Sequence, residues 1–574
     1  MTIEFRAKPP SCITLSGTAR NPDQETGPLD IRNPVEDTPM NRREFMSATL
    51  GTLSATALCP SLDAFAAEAP KGASKPNIVV IMADDLGYSD IGCYGSEIHT
   101  PNLDRLAGEG IRFTQAYNVA RCCPSRAALL TGLYPHQAGM GDMVSTAKKK
   151  RPEGPYQGYL NRQCVTVAEL LKTAGYSTYM SGKWHVGEAP EHWPRKRGFD
   201  RYFGLISGAS SYFGILQQEE QRRVMALDDA PYTPEGDHFY MTDAFSDNAV
   251  QFLTEHDASK PFLLYLAYTA PHWPLHALPE DIEKYRGKYG MGWDALRGQR
   301  YKRMVDTGII DPKWKLSPRD SEVPAWDSVD NKEDWDLRMA VYAAMIDRMD
   351  RGVGRVLDTL KERGMEDNTL VLFLADNGGC HENCNKPQLS KPGALPGTPE
   401  SYTSYQRPWA NASNTPFRMF KHWCHEGGIS TPLIARWPAR IKERGKLTGQ
   451  VAHITDIMAT CADLSGAAYP KAFAGQEIHP LVGKSLAPVF DGKTREPHAR
   501  LYWEHEGNRA LREGRWKLVA PAAGDWELYD MEADRTELNN LSQAQPDRAK
   551  AMLDSWNAWA QEIGVNTPRE RGGR

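Results

Sequence analysis

Lys75-Pro-Asn-Ile-Val-Val-Ile-Met-Ala-Asp84-Asp85 joins a continuous apolar run, 78–82, to a pair of acids. A strand with one wet face alternates apolar and polar residues, so an unbroken run predicts a strand covered on both faces. A second run, Leu370 to Leu374, ends in Ala375-Asp376-Asn377-Gly378, and Pro261 to Tyr268 makes a third. Around them helical periodicity covers 102–110, 125–133, 165–174, 242–256 and 334–363. Strands alternating with helices predict an α/β fold with a mostly parallel central sheet flanked by helices. Such sheets bind ligands beyond the carboxyl ends of their strands. Both acidic pairs stand at such ends, and that coincidence marks a site.

Outward from this core the texture changes. Two stretches rich in Pro, Gly, Trp and Tyr, 284–330 and 380–418, interrupt the pattern. Insertions of that length are usually walls or lids, so their aromatics, with those of 202–212, are expected to line a pocket. After about residue 490, Leu501-Tyr-Trp-Glu, Arg509-Ala-Leu-Arg, Trp516-Lys-Leu-Val and Trp526-Glu-Leu-Tyr read as short strands, followed by an amphipathic helix over about 546–562. Three segments follow: 1–74, an N-terminal extension with a leader; 75–489, the catalytic domain; and 490–574, a smaller antiparallel sheet with a terminal helix.

The 574 residues carry 68 Lys plus Arg against 73 Asp plus Glu, a formal net charge of -5. That balance gives no electrostatic case for nucleic acid. Ten cysteines are too few for a disulfide scaffold, and no run outside the leader is long and apolar enough to span a bilayer. Within the leader, Arg42-Arg43 with Phe45, a mildly apolar stretch to Leu62 and the small-residue cut site Ala64-Phe65-Ala66 describe an export signal of twin-arginine type. Met40 just before it is an alternative start to Met1. Leu58 before Cys59 does not fit a lipid-anchor site.

Cys122-Cys123-Pro124-Ser125-Arg126, continued by Leu130-Thr131-Gly132, carries the chemistry. Pro124 favours a first helical turn, which puts Cys122 at a helix N-terminus, where free amides attract anions. Arg126 lies one turn on and returns to the same face. On composition alone a buried thiol pair is equally open.

The motif resembles the signature of the type I sulfatases in the alkaline phosphatase superfamily. In that family the first cysteine, here Cys122, is oxidised to formylglycine (3-oxoalanine) by a dedicated maturating enzyme. Asp84 and Asp85 match its paired metal acids and Asp376 with Asn377 its Asp-Asn pair. The resemblance implies that these four, with Cys122, hold calcium, or magnesium as an alternative; an all-oxygen side-chain set suits either hard cation. Gly182-Lys183-Trp184-His185-Val186-Gly187 is similar to the family's Gly-Lys-Trp-His-Leu-Gly, and Lys183 and His185 would point the same way in an extended segment. His272 in Ala270-Pro-His-Trp-Pro274 and Lys421, five residues before Glu426-Gly427-Gly428, match two more positions.

The implied activity is hydrolysis of aryl sulfates or sulfated sugars, with Cys122, Arg126, Lys183, His185, His272 and Lys421 as catalytic groups. By the same resemblance the aldehyde hydrates, one hydroxyl attacks sulfur, His272 with Lys421 assists the leaving alcohol, and His185 takes the proton that lets sulfate depart. The alternative is a phosphomonoester, phosphodiester or phosphonate hydrolase of the same superfamily. The partners implied are a sulfate ester, the maturating enzyme and the twin-arginine export machinery, and the implied location is periplasmic or secreted in a bacterium. Cys380 and Cys384 lie outside the pattern and read as a disulfide or two idle thiols.

Overall fold

Residue register in one sheet decides where the chemistry falls. The computed structural model describes residues 75–145, 152–216, 223–236 and 238–566; the leader and its twin arginines lie outside the described residues. The large sheet uses β1 (Asn77–Ala83), β2 (Ile111–Tyr117), β3 (Ser177–Gly182), β4 (Arg201–Leu205), β5 (Met225–Leu227) and β6 (Ala230–Tyr232). It continues with β7 (Phe262–Ala267), β8 (Thr369–Ala375), β9 (Ser430–Arg436), β10 (Lys446–Thr448) and β11 (Ala452–His453). The strand order is β10-β2-β9-β8-β1-β7-β3-β4-β5-β6, with β11 also paired to β2. The centre, β8-β1-β7-β3-β4, is parallel, and β9 runs antiparallel to both its neighbours.

The apolar runs are buried strands for the reason expected. In β1, Val79 and Ile81 enter one core while Ile78, Val80 and Met82 enter the other, so both faces of the pleat are dry. The first core takes helices Pro101–Gly108, Met241–Thr254 and the 31-residue Lys332–Glu362. The second takes Cys122–Thr131, Val167–Thr173 and Asp456–Ser465. All five helices expected between the strands are present, each with ends within three residues of those read from periodicity.

A short hairpin, β12 (Ala472–Phe473) and β13 (Gln476–Glu477), precedes the antiparallel sheet β14 (Leu501–His505), β15 (Asn508–Glu513), β16 (Trp516–Ala520) and β17 (Glu527–Asp530). Helix Pro546–Glu562 packs on that sheet, with Trp559 stacked on Tyr502 at 4.8 Å between ring centroids. The described residues, between 75 and 566, belong to one compact unit, and β14 is tied to the catalytic region by Trp503, whose indole N–H donates to the Asn118 carbonyl at 2.7 Å.

An expectation about the first insertion is overturned. The aromatics of 284–330 do not line a pocket: Trp293 meets Trp326, Trp409 and Trp335 edge-on at 4.8, 5.4 and 5.6 Å. Indole rings whose N–H groups reach backbone carbonyls, as those of Trp293 and Trp326 do, are stable in a core. Among the described residues no helix is long and apolar enough to cross a membrane. Cys380 and Cys384 are free thiols.

Candidate active site

Four strand ends finish level with one another. Ala83 of β1 pairs with Ala375 of β8, Met82 with Ala267 of β7, and Gly182 of β3 with that same Ala267. The next residues of each strand therefore form one rim: Asp376 and Asn377, Asp84 and Asp85, the loop to His272, and Lys183. Backbone bonds continue past the sheet, from the Asp376 amide to the Ala83 carbonyl (3.1 Å) and from the Lys183 amide to the Ala267 carbonyl (2.7 Å).

Helix Cys122–Thr131 arrives from the side, with Arg121 at its N-cap and Cys122 buried in its first turn. Arg126 is fully buried; its guanidinium reaches Asp376 Oδ2 at 2.8 Å and Asp84 Oδ2 at 3.3 Å. Lys183 Nζ donates to Asp84 Oδ2 at 2.5 Å, and Lys421 Nζ lies 2.7 Å from Asp85 Oδ1. Asn377 donates to Asp85 Oδ1 at 2.7 Å, and His272 Nε2 stands 3.5 Å from Asp85 Oδ2. Every residue expected at the site thus lies on this rim or on the helix and loops against it.

The electrostatics are those of a dry, crowded site. Burial alone would raise the Asp84 carboxyl, but Lys183, His272 and Arg126 outweigh it and hold it at about 2. Burial, with the like charge of Asp84, pushes Asp376 well up despite Arg126. The Cys122 thiol is lowered well below its ordinary value, first by the hydrogen bond from Cys123, with Lys183 and His185 adding to it against burial. Burial lowers His185 to about 4 and lowers His272 as well.

Two buried oxygens are left over: Asp84 Oδ1 and Asn377 Oδ1 have no hydrogen-bond partner. Buried polar atoms without partners are rare. With the carboxylates of Asp85 and Asp376 they form an all-oxygen side-chain set, the donor chemistry of calcium or magnesium. Asp84, Asp85 and His272 already bring their donor atoms within 4.8 Å of one another. The residues present fit a hard divalent cation.

The segment after β3 does not meet the condition of an extended backbone: His185 is left-handed at φ 54°. Lys183 and His185 still both reach the site, by different turns. His185 Nε2 meets Cys123 Sγ at 3.3 Å, and its Nδ1 has no partner. Cys123 thus has a role that its place in the motif did not reveal.

Two more residues were missed. Arg121 pairs with Glu382 at 2.7 Å, and Glu382 also accepts from the Trp273 indole at 3.1 Å. Burial would raise Glu382, but Lys421 and Arg121 hold it well down. Arg121 adjoins the cysteine motif, so its position was a signal; Glu382 sits 261 positions away within an insertion and gave none. The aromatics of 202–212 support rather than line: the Tyr212 hydroxyl donates to the carbonyls of Thr269 and His272, at 2.7 and 2.9 Å, and so sets the His272 loop.

Comparisons with known proteins agree with one another on the family. Residues 76–467 match the family model described as Sulfatase, and residues 417–555 that of the N-sulphoglucosamine sulphohydrolase C-terminal region. An uncharacterized sulfatase of Schizosaccharomyces pombe is 36% identical over 86% of this chain and 95% of its own. The arylsulfatase of Klebsiella aerogenes is 34% identical over 74% of this chain and 94% of its own. Among solved structures, Ps i-CgsB in complex with k-i-k-neocarrahexaose superposes with a TM-score of 0.63 at 28% identity, covering 85% of this chain and 93% of that one.

Proposed function

The chain belongs to the sulfatase family, and from that premise we propose that it hydrolyses a sulfate ester using formylglycine at position 122 and a hard divalent cation held by Asp84, Asp85, Asp376 and Asn377. What carries the reading is the convergence of four strand ends on two partnerless buried oxygens, ringed by Lys183, Lys421 and Arg126. A sulfate monoester resists hydrolysis because its anionic oxygens repel a nucleophile and its alkoxide leaves badly. Three buried cations around the two acidic strand ends answer the first difficulty, and a low-dielectric site strengthens them.

When bound, the cation adds positive charge against the sulfate oxygens, and oxidised residue 122 supplies an oxygen nucleophile in place of the thiol. The remaining steps fall to the chain's own residues. Lys183, Lys421 and Arg126 bind and orient the sulfate oxygens. His272 Nδ1 lies 2.6 Å from the Trp273 carbonyl; a carbonyl can only accept, so Nδ1 keeps its proton and Nε2 is the exchangeable position. Burial lowers His272 and the Asp85 carboxylate 3.5 Å away opposes it; in its protonated form His272 Nε2 delivers its proton to the leaving oxygen, with Lys421 beside it. Burial and its hydrogen bond to residue 122 keep the Cys123 thiol protonated, so its sulfur accepts from His185 Nε2–H, and burial leaves that imidazole neutral with the lone pair on its partnerless Nδ1 able to take a proton.

The substrate class we propose is an aryl sulfate or a sulfated sugar; the arylsulfatase relative and the carrahexaose-bound neighbour lend support to each. Export by the twin-arginine route to the periplasm or beyond is part of the proposal and rests on Arg42-Arg43 and the leader around them. The test is mass spectrometry of the peptide carrying residue 122, with turnover of an aryl sulfate and an aryl phosphate on the same preparation. Aldehyde at 122 and preference for the sulfate are expected; an unmodified thiol in an active enzyme, or preference for the phosphate, overturns the reading.

A further inference from the structure

We propose a second, distinct metal site, for a borderline divalent cation such as zinc, formed by His422, His505 and Glu506. The donor atoms of these three side chains lie within 4.8 Å of one another. His422 Nδ1 is 2.7 Å from Glu506 Oε2, and Glu506 Oε1 is 3.9 Å from His505 Nε2. Ligands about 2.0–2.1 Å from a tetrahedral zinc lie about 3.3 Å from each other, so side-chain movements of about 0.6 to 1.5 Å would turn this arrangement into a coordinating one. The two imidazole rings stand nearly perpendicular, at 84° with centroids 5.7 Å apart.

The independent observation is His505 itself. It is 0% exposed, and neither of its ring nitrogens has a hydrogen-bond partner. An imidazole always presents at least one donor, and a neutral one also an acceptor, so burying both without partners is costly unless something else satisfies one of them. A cation at the mouth of Glu506 would do so. His422 and Glu506 are partly exposed, which leaves an entry path and room for a water as fourth ligand. Arg121, the neighbouring positive charge felt by His505 and Glu506, is itself paired with Glu382 at 2.7 Å and does not fill the gap.

The donor set separates this site from the catalytic one. Two imidazoles and one carboxylate suit zinc, whereas the all-oxygen catalytic set suits calcium or magnesium. The position also gives the site a purpose. His422 follows Lys421, with its own amide donating to the Ala120 carbonyl at 2.8 Å, and His505 and Glu506 form the end of β14 and its turn. A metal here would clip the segment bearing Lys421 to the C-terminal sheet.

The experiment uses the mature, calcium-loaded enzyme, dialysed against micromolar zinc with calcium in excess, with bound zinc counted by elemental mass spectrometry. One zinc per chain is expected, raising the temperature of unfolding. His422→Ala and Glu506→Gln, both at partly exposed positions, should each weaken zinc binding by at least about tenfold while keeping the calcium content and the zinc-free unfolding temperature. Cys123→Ala controls for the other cluster able to take zinc, Cys122, Cys123 and His185, and should retain the zinc. No zinc retained over calcium, zinc unchanged in both His422→Ala and Glu506→Gln, or zinc lost in Cys123→Ala instead would each overturn the proposal.

Discussion

The protein buries two clusters of opposite charges, and they differ in one respect that separates function from architecture. In the first, Asp84, Asp85 and Asp376 face Lys183, Lys421 and Arg126. In the second, Glu426 faces Lys517 at 2.8 Å and Arg535 at 3.1 Å, with Glu537 on the other side of Lys517 at 2.8 Å. Both hold a carboxyl at about 2, Asp84 and Glu426, each against the opposing pull of burial. Yet both Glu426 oxygens are engaged, Oε2 by the hydroxyls of Tyr117 and Ser430 as well as by Arg535, whereas Asp84 keeps one oxygen with no partner. Glu537 Oε1 makes no hydrogen bond either, but Lys517 Nζ neutralises it at 2.8 Å, so this cluster is closed by charge and fastens β16 and the segment after β17 to the short helix before β9. An open one reserves a place for a ligand. Charge and burial alone would not have told them apart.

The largest consequence lies in the open cluster. Cys122→Ala removes the position from which the nucleophile is made and should lower kcat by at least about 10⁴-fold, while the unfolding temperature moves little. Steady-state turnover of an aryl sulfate reads this directly, and retained activity would place the chemistry elsewhere. The closed cluster predicts the reverse pattern. Glu426→Gln leaves Lys517 and Arg535 short of a buried countercharge and should cost roughly 3 kcal/mol of stability, with kcat per folded molecule unchanged. Because the Glu426 carboxyl is held far below its unfolded value of about 4.3, its contribution is present above that pH and is lost as pH falls toward 2. Urea titrations at pH 7 and pH 3 should therefore show a smaller difference in stability for Glu426→Gln than for the parent.

What could be read from the amino acids alone was the content of the open cluster, not its closeness. Continuous apolar runs named β1, β7 and β8, and the acids and lysine that follow strands were visible because strand ends are local features. Register was not: that Ala83 lies beside Ala375 and Ala267 beside Gly182 is a property of pairing between segments up to about 300 residues apart. Local backbone misled at His185, where a left-handed turn replaced the extended segment that side-chain alternation would need. Glu382 escaped because one acid in an insertion looks like surface until Arg121 and Trp273 are found against it. The tryptophans of 284–330 misled in the opposite sense, since an aromatic-rich insertion reads alike whether it walls a pocket or builds its own core.

Smaller effects test how the open cluster is closed. Stripping the cation with a chelator should leave the chain folded but less stable, by about 2.7 kcal/mol relative to cation at one hundred times its dissociation constant. Asp84→Asn should abolish that difference, and Glu426→Gln should keep it. A chelator that shifts both variants equally would mean the ion acts elsewhere.

The smallest predicted effect concerns Cys123, the partner at 3.3 Å of a His185 ring whose other nitrogen has none. A single hydrogen bond of about 1 kcal/mol corresponds to a several-fold change in rate, so Cys123→Ala should lower kcat by that much and leave KM alone. Cys123→Ser restores an acceptor at nearly the same place and should recover most of the loss. Packing alone would make the two variants alike, since both remove the sulfur. The pH profile discriminates further. Burial holds His185 at about 4, and an acceptor for Nε2–H favours the protonated ring, the stronger donor. Without it the imidazole protonates less readily, so the acidic limb of kcat should move to lower pH in Cys123→Ala and stay in place in Cys123→Ser.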